Sequence, residues 1–307
     1  MKIATDMCDA LPILSDFLPE HEVECIDNVN DAEVLIFLHW NRVKSYISRM
    51  KNLRLLQALT AGVDHIPLTE IPKNAYLCSN AGANAWAVAE HAFSLTMAAL
   101  KKIVYRDRKM RDGEFPQLIE SRLLRGKKVI LVGFGHIGKN IARMLEPFKV
   151  EIIAINRSGK YNGEIKISEI MPISEIDKAL KMADIVILCL PLTSDTEGII
   201  NRRRLEIMKS DGILVNVSRG KIVVEEDLYE FLKERNEFVA ALDVWWKYGA
   251  KFKQDYPFEK LDNVILSPHC GGVYENWVVD SFKHASENVR RLEKGEILKN
   301  VVKKPQE

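Results

Sequence analysis

The chain has 307 residues, 47% of them hydrophobic and 28% charged, with a formal net charge of +1. That length supports two domains with sizeable cores, and the near-neutral balance gives no reason to expect a nucleic-acid or anionic-membrane partner. The amino-terminal MKIATDMCDALPIL lacks the long apolar run of a signal peptide, and stretches such as DIVILCLPL are too short to span a bilayer. Five cysteines (Cys8, Cys25, Cys78, Cys189, Cys270) are scattered, odd in number and without metal-ligand spacing, so reduced thiols, no metal and a cytoplasmic location are expected.

In chain order, KIATDM, VLIFL and LRLLQAL read as short buried strands separated by helical or turn stretches. From Ala85, AWAVAEHAFSLTMAALKKIVYRDRKMRDGEF has few breakers and an apolar stripe at helical spacing, which predicts a helix broken at DGEFP. KKVILVGFGHIGKNIARML switches from strand-like to helical across its glycines. VEIIAIN, ADIVILCLPL, GILVNVS, FVAALDV and NVILSPH then repeat the strand signal, and YENWVVDSFKHASENVRRLEKGE reads as a helix ended near Gly295. Buried runs alternating with helices predict an α/β architecture of doubly wound parallel sheet.

Gly133, Gly135 and Gly138 stand in the spacing GxGxxG, after the strand KKVILV and at the start of the helix KNIARML. In that context the first glycine permits a tight turn, the second lets backbone approach a pyrophosphate, and the third allows close helix–strand packing. The helix N-terminus offers N–H donors and a positive dipole to the phosphates. About 20 residues on, an acid would hold the ribose 2′-hydroxyl of NAD. Asn156, Arg157 and Ser158 stand there instead; the last two suit a 2′-phosphate, so NADP(H) is favoured and NAD(H) stays possible.

TAGVDHI at 60–66, NAGANAWAVAEH at 80–91, NVSRGKIVVEEDLYEFLKE at 216–234, ALDV at 241–244 and LSPHCGG at 266–272 together resemble the D-isomer-specific 2-hydroxyacid dehydrogenase family. The resemblance covers nearly the whole chain, with the motifs in the family's order. It implies a flavodoxin-like substrate domain from residues 1–98 and 275–307, a Rossmann domain inserted at 99–274, an active site in the cleft, and a homodimer. It further implies that Arg219 grips the substrate carboxylate and polarises its carbonyl, and that His269 is the acid/base on the reacting oxygen. Ala61, Gly62 and Val63 match the loop whose N–H groups bind the carboxylate. Asn80 and Asn84 match positions near nicotinamide and substrate. His136, Ile137, the 156–158 turn, Leu190, Pro191, Val217, Ser218, Asp243 and Gly271 match the cofactor's surroundings, along with Arg219 and His269. His65, His91 and His284 are expected in packing or surface hydrogen bonds. Trp86, Trp245, Trp246 and Trp277 are expected as core or subunit-interface aromatics, and Cys270 as a bystander.

One departure bears on the chemistry. The family's glutamate, which raises the pKa of the catalytic histidine, falls five residues after the ALDV aspartate, where this chain has Tyr248. The formate dehydrogenases that resemble this family also carry a neutral residue there, because hydride leaves formate with no proton transfer to oxygen. The leading reading is a reductase of small 2-oxo acids such as glyoxylate or hydroxypyruvate, with Tyr248 as a neutral partner of His269. Formate oxidation is second. A nucleotide-sensing binding protein, as in the corepressors that resemble this family, ranks last because the chain ends soon after the last helix.

Overall fold

The structure, a computed structural model, describes residues 1–306. Its strands are β1 (Lys2–Thr5), β2 (Glu22–Cys25), β3 (Val34–Phe37), β4 (Leu55–Ala58), β5 (Tyr76–Cys78), β6 (Lys128–Val132), β7 (Glu151–Asn156), β8 (Glu169–Pro172), β9 (Ile185–Leu188), β10 (Ile213–Asn216), β11 (Val239–Leu242), β12 (Val264–Leu266) and β13 (Val301–Lys303). The helices are α1 (Leu11–Phe17), α2 (Trp40–Ile47), α3 (Ala85–Lys101), α4 (Ile103–Arg111), α5 (His136–Leu145), α6 (Ile176–Met182), α7 (Arg202–Glu206), α8 (Glu225–Glu234) and α9 (Trp277–Glu293). The chain divides into one unit of Met1–Asn84 with the segment from Tyr274 onward, and a second of Ala85–Val273.

In the first unit the sheet order is β13-β5-β4-β3-β1-β2, with β1 to β5 parallel and β13 antiparallel on β5. Alternation along β3 sends Leu35 and Phe37 to one face, where Trp40, Val43 and Ile47 of α2 cover them. Val34 and Ile36 face the other side, under Phe282, Ala285 and Val289 of α9. Those three positions on α9, with Leu292, form the apolar stripe of an amphipathic helix. The helix closes at Gly295, whose φ is +67°. The Glu296 N–H donates to the Arg291 carbonyl at 2.8 Å, satisfying a carbonyl that the helix end would otherwise orphan.

The second unit holds an all-parallel sheet in the order β12-β11-β10-β9-β6-β7-β8. Its direction of winding reverses between β6 and β9, the crevice at which α/β sheets take ligands. Both faces are covered, which is why its strands are near-continuous apolar runs. Val129 and Leu131 of β6 pack with Ala92 and Leu95 of α3 and Ile141 of α5. Ile130 and Val132 pack with Leu180 of α6 and Leu228 of α8. The doubly wound α/β class is therefore as expected in both units.

Several sequence expectations need correction. The helix predicted from Ala85 is two helices, because Lys102 adopts a left-handed backbone (φ +53°) between α3 and α4. Helix α3 packs on α5 and β10, so the first break falls at Asn84–Ala85 and not at 98–99. Strands β2, β5, β8 and β13 carry no clear signal; each has only three or four residues. Cys8 and Cys25 are joined as a disulfide, against the expectation of reduced thiols. The parallel pairing sets Cys25 level with Thr5, three residues from Cys8. Cys78, Cys189 and Cys270 remain thiols. The bridge removes the cysteine-based ground for assigning a reducing compartment. Among the described residues, no helix is long and apolar enough to cross a membrane.

Candidate active site

The glycine turn follows β6. Gly133 has φ +104°, and a Cβ there would lie 2.4 Å from the Cys189 carbonyl oxygen. A Cβ on Gly138 would lie 2.3 Å from the Gly133 carbonyl oxygen, so α5 rests directly on the turn. At Gly135 a Cβ would meet nothing within 4 Å; here the backbone faces open space at the N-terminus of α5, where His136 and Ile137 begin the helix. Three glycines thus carry three separate tasks, and the open one lies where a pyrophosphate needs room beside the N–H donors. From beneath, the Cys189 thiol donates to the Gly133 carbonyl at 3.0 Å. The turn fits a dinucleotide.

Asn156 ends β7, and its Oδ1 accepts the N–H of Ser158 at 3.0 Å and of Gly159 at 2.7 Å. This turn, closed by a side chain acting on its own backbone, leaves Arg157 and Ser158 exposed. Leu190 is buried and Pro191 exposed just after β9. A similar device follows β10. The Asn216 Oδ1 accepts the N–H of Ser218 at 3.0 Å and its hydroxyl at 2.8 Å, while Nδ2 donates to the Arg219 carbonyl at 2.9 Å. Val217 and Ser218 are buried, and Arg219 Nη1 donates to the Ser218 carbonyl at 2.8 Å. Gly220 lets this turn approach the next strand's exit: a Cβ there would lie 2.3 Å from the Trp245 carbonyl.

Asp243 follows β11 and is 2% exposed. Its Oδ1 accepts from the Ser267 hydroxyl at 2.6 Å and the Cys270 N–H at 2.9 Å, and its Oδ2 from the Gly271 N–H at 3.0 Å. Burial pushes the Asp243 carboxyl up. Hydrogen bonds from His91, Ser267 and the Cys270 and Gly271 N–H groups outweigh that and hold it below the ordinary carboxylate range. His269 follows β12, exposed, with φ +57°, a conformation that costs a residue with a Cβ about 1–2 kcal/mol. The Tyr248 ring lies 5.2 Å from the His269 ring, tilted by 42°, and its phenol oxygen accepts the Trp245 N–H at 3.1 Å. Tyr248 is 59% exposed. The nearby Asp255 is paired with Lys247. Trp245 and Trp246 belong to the unit's own core, their indole N–H groups donating to the Ser267 and Val223 carbonyls.

In the first unit the loop Ala61–Val63 follows β4, and the Thr60 hydroxyl donates to the Gly62 carbonyl at 2.9 Å. Asn80 is buried, and its amide is committed to structure: Nδ2 donates to the Ser281 carbonyl at 3.1 Å, and Oδ1 lies 2.7 Å from His284 Nδ1. Those bonds fix the orientation of the Asn80 amide. Asn84 is half-buried in the turn before α3.

Sequence reasoning missed Asn216, Ser267 and His91 as supports, and it missed Asp6. That buried carboxylate accepts the N–H of Leu38 and of His39 at 2.8 Å each, and lies 3.0 Å from His39 Nδ1. The aspartate has no local signature, since its partners lie over thirty residues away. A cavity of about 880 Å³ lined by Lys102, Tyr105, Arg122, Asp211 and Asp262 sits at the amino ends of β10 to β12. Ligands in α/β sheets bind at the opposite ends, where the glycine turn, Arg219, Asp243 and His269 of this unit lie.

Residues 93–271 match the family model described as D-isomer specific 2-hydroxyacid dehydrogenase, NAD binding domain. The chain is 30% identical to a glyoxylate reductase of Thermofilum pendens over 99% of its own length and 91% of the relative's. It is 31% identical to a glyoxylate reductase of Pyrococcus furiosus, over 91% and 84%. Among solved structures, an acyclic imino acid reductase in complex with NADPH and D-Arg superposes with a TM-score of 0.84 at 25% identity, covering 99% of this chain and 100% of that one. With a family model over more than half of its length and relatives that match it nearly end to end, the chain belongs to the D-isomer-specific 2-hydroxyacid dehydrogenase family.

Proposed function

We propose that this member of an NAD(P)-dependent oxidoreductase family reduces a small 2-oxo acid, of the size of glyoxylate or hydroxypyruvate, to its D-2-hydroxy acid, with NADPH preferred. The observation that carries this reading is the placement of Arg219, Asp243 and His269 just past the carboxyl ends of adjacent strands β10, β11 and β12, in the sheet whose β6 leads into the glycine turn. The naming of full-length relatives as glyoxylate reductases supports the substrate class.

The guanidinium of Arg219 presents a planar fork of donors to the substrate carboxylate and stabilises the negative charge that develops on the carbonyl oxygen. Protonated His269 gives its proton to that oxygen, and the neutral imidazole takes one back in the oxidative direction. The Gly133–Gly138 turn and the α5 N-terminus would hold a pyrophosphate. Arg157 and Ser158 would hold a 2′-phosphate, and Leu190, Pro191, Val217, Ser218 and Gly271 would line the rest of the site. When bound, the nicotinamide supplies the hydride.

Tyr248 favours a second substrate beside the first. A protonated imine of a 2-oxo acid already carries the proton that His269 would otherwise deliver, so a neutral phenol beside the histidine suffices. The similarity to an imino acid reductase supports this reading. The chain also forms a homodimer in this proposal, supported by exposed Ile103, Met110, Phe115, Leu118 and Leu123 on and after α4. Sedimentation as a 35.0 kDa monomer at micromolar concentration would remove that part.

The deciding measurement is a panel of initial rates with NADPH and NADH against glyoxylate, hydroxypyruvate, pyruvate and phenylpyruvate, with and without ammonium, plus formate with both oxidised cofactors. Reduction of glyoxylate or hydroxypyruvate, faster with NADPH, is the expected result. Formate oxidation without 2-oxo acid reduction would overturn it.

A further inference from the structure

His269 stands in the left-handed region (φ +57°), which a residue with a Cβ keeps only when its surroundings hold it there. The two N–H groups that follow it, from Cys270 and Gly271, converge on one carboxylate: Asp243 Oδ1 accepts the first at 2.9 Å and Oδ2 the second at 3.0 Å. Successive N–H groups beside a left-handed residue form a small concavity suited to an anion. Here a side chain from the end of the neighbouring strand fills it. Asp243 is in turn fixed from behind. The Ser267 hydroxyl donates to Oδ1 at 2.6 Å, and His91 Nε2 lies 2.8 Å from that hydroxyl and 3.3 Å from Oδ1. Gly271 makes the approach possible, since a Cβ there would lie 2.9 Å from Asp243 Oδ2 and 3.1 Å from the His91 ring.

We propose that Asp243, held by Ser267 and His91, is a positioning residue for His269: its carboxylate fixes the backbone turn that aims the imidazole. The proposal rests on the reading of His269 as the acid/base. It assigns Asp243 a task beyond the cofactor contact implied by family resemblance, because both of its oxygens already accept from the polypeptide. It gives His91 and the buried Ser267, which carry no part in the chemistry, a reason to be polar.

The test compares Ser267→Ala, Ser267→Thr and Asp243→Ala with the wild type by kcat and KM for glyoxylate, by NADPH affinity from fluorescence titration, and by crystal structure. Ser267→Ala is expected to lower kcat about tenfold with the NADPH Kd within twofold of wild type, and Ser267→Thr to recover most of that loss. In Asp243→Ala, His269 is expected to relax to negative φ. Equal losses of kcat and NADPH affinity in Ser267→Ala would mean that the network serves the cofactor, and would overturn the proposal. So would an Asp243→Ala structure in which His269 keeps its positive φ and ring position. If Asp243→Ala does not fold, the φ of His269 in Ser267→Ala decides the same question. A wild type that reduces no 2-oxo acid would defeat the reading of His269 alone, and the backbone angle in the variants would still decide whether Asp243 holds the turn.

Discussion

Replacing Tyr248 by glutamate restores a carboxylate beside His269, and the structure sets the size of the effect. The two rings are 5.2 Å apart. At that separation, a unit charge pair interacts by about 0.8 kcal/mol at the dielectric constant of water and about 3 kcal/mol at an effective value of 20. Both side chains are exposed, so solvent and salt draw the figure toward the lower end. About 1.4 kcal/mol, in the lower half of that range, is equivalent to a tenfold change in the proton affinity of the imidazole. The sign follows from the charge: a carboxylate favours imidazolium, so the histidine keeps its proton to higher pH. In the proposed mechanism reduction needs the protonated ring, so its rate falls as pH rises through the imidazole's apparent pKa. In Tyr248→Glu that falling limb moves upward by about one pH unit. In the oxidative direction, which needs the neutral ring, the rising limb moves up by the same amount. The assay is a pair of pH profiles of kcat/KM for glyoxylate reduction, one per protein, at matched ionic strength. Superimposable falling limbs would refute the reasoning, because no charge at position 248 would then reach an imidazole that governs the rate.

Arg157→Ala should remove the preference for NADPH, lowering its affinity by about ten- to a hundred-fold through loss of one charge-assisted pair of roughly 1.5–3 kcal/mol, while NADH affinity holds. Fluorescence titration of both cofactors reads this directly, and an unchanged ratio would contradict it. Arg219→Lys keeps a charge but loses the fork, so kcat/KM for glyoxylate should fall about a hundredfold or more with NADPH binding little changed; near-wild-type turnover would exclude Arg219 from the chemistry. The Cys8–Cys25 bridge closes a separation of 17 residues, so Cys8→Ser should lower the stability of the first unit by about 3 kcal/mol. Thermal melts of wild type with and without reductant, beside the variant, measure it; identical melts would mean the bridge does not form in solution.

The legible parts of this molecule were those whose physics is local. β6, β7, β9 and β10 announce themselves because strands covered on both faces are apolar throughout. The GxGxxG turn is legible because each glycine answers a separate steric demand. β2, β8 and β13 were not, since a strand of three or four residues at a sheet edge buries too little to leave a pattern. The break at Lys102 was hidden because nothing in KKIV forbids a continuous helix; only the backbone reversal shows it. At the candidate site, family resemblance points to Arg219, His269 and Asp243, but not to the groups that hold them. His91 reaches Ser267 across 176 residues of sequence, and Asn216 shapes the Arg219 turn with a side chain that reads as an ordinary strand end. Contacts of that kind exist only once the chain has folded.

The distribution of sulfur in the fold has a practical consequence. Burial pushes the Cys78 and Cys189 thiols up to about 12, so neither offers appreciable thiolate at neutral pH, and Cys8 and Cys25 are tied to each other. Cys270 is the remaining thiol, partly exposed and adjacent to His269. A mild alkylating dye applied to the native protein should therefore mark one position without any engineering. Its emission would follow the histidine turn as ligands are added, giving a reporter on the proposed site from a residue to which the proposed mechanism gives no part.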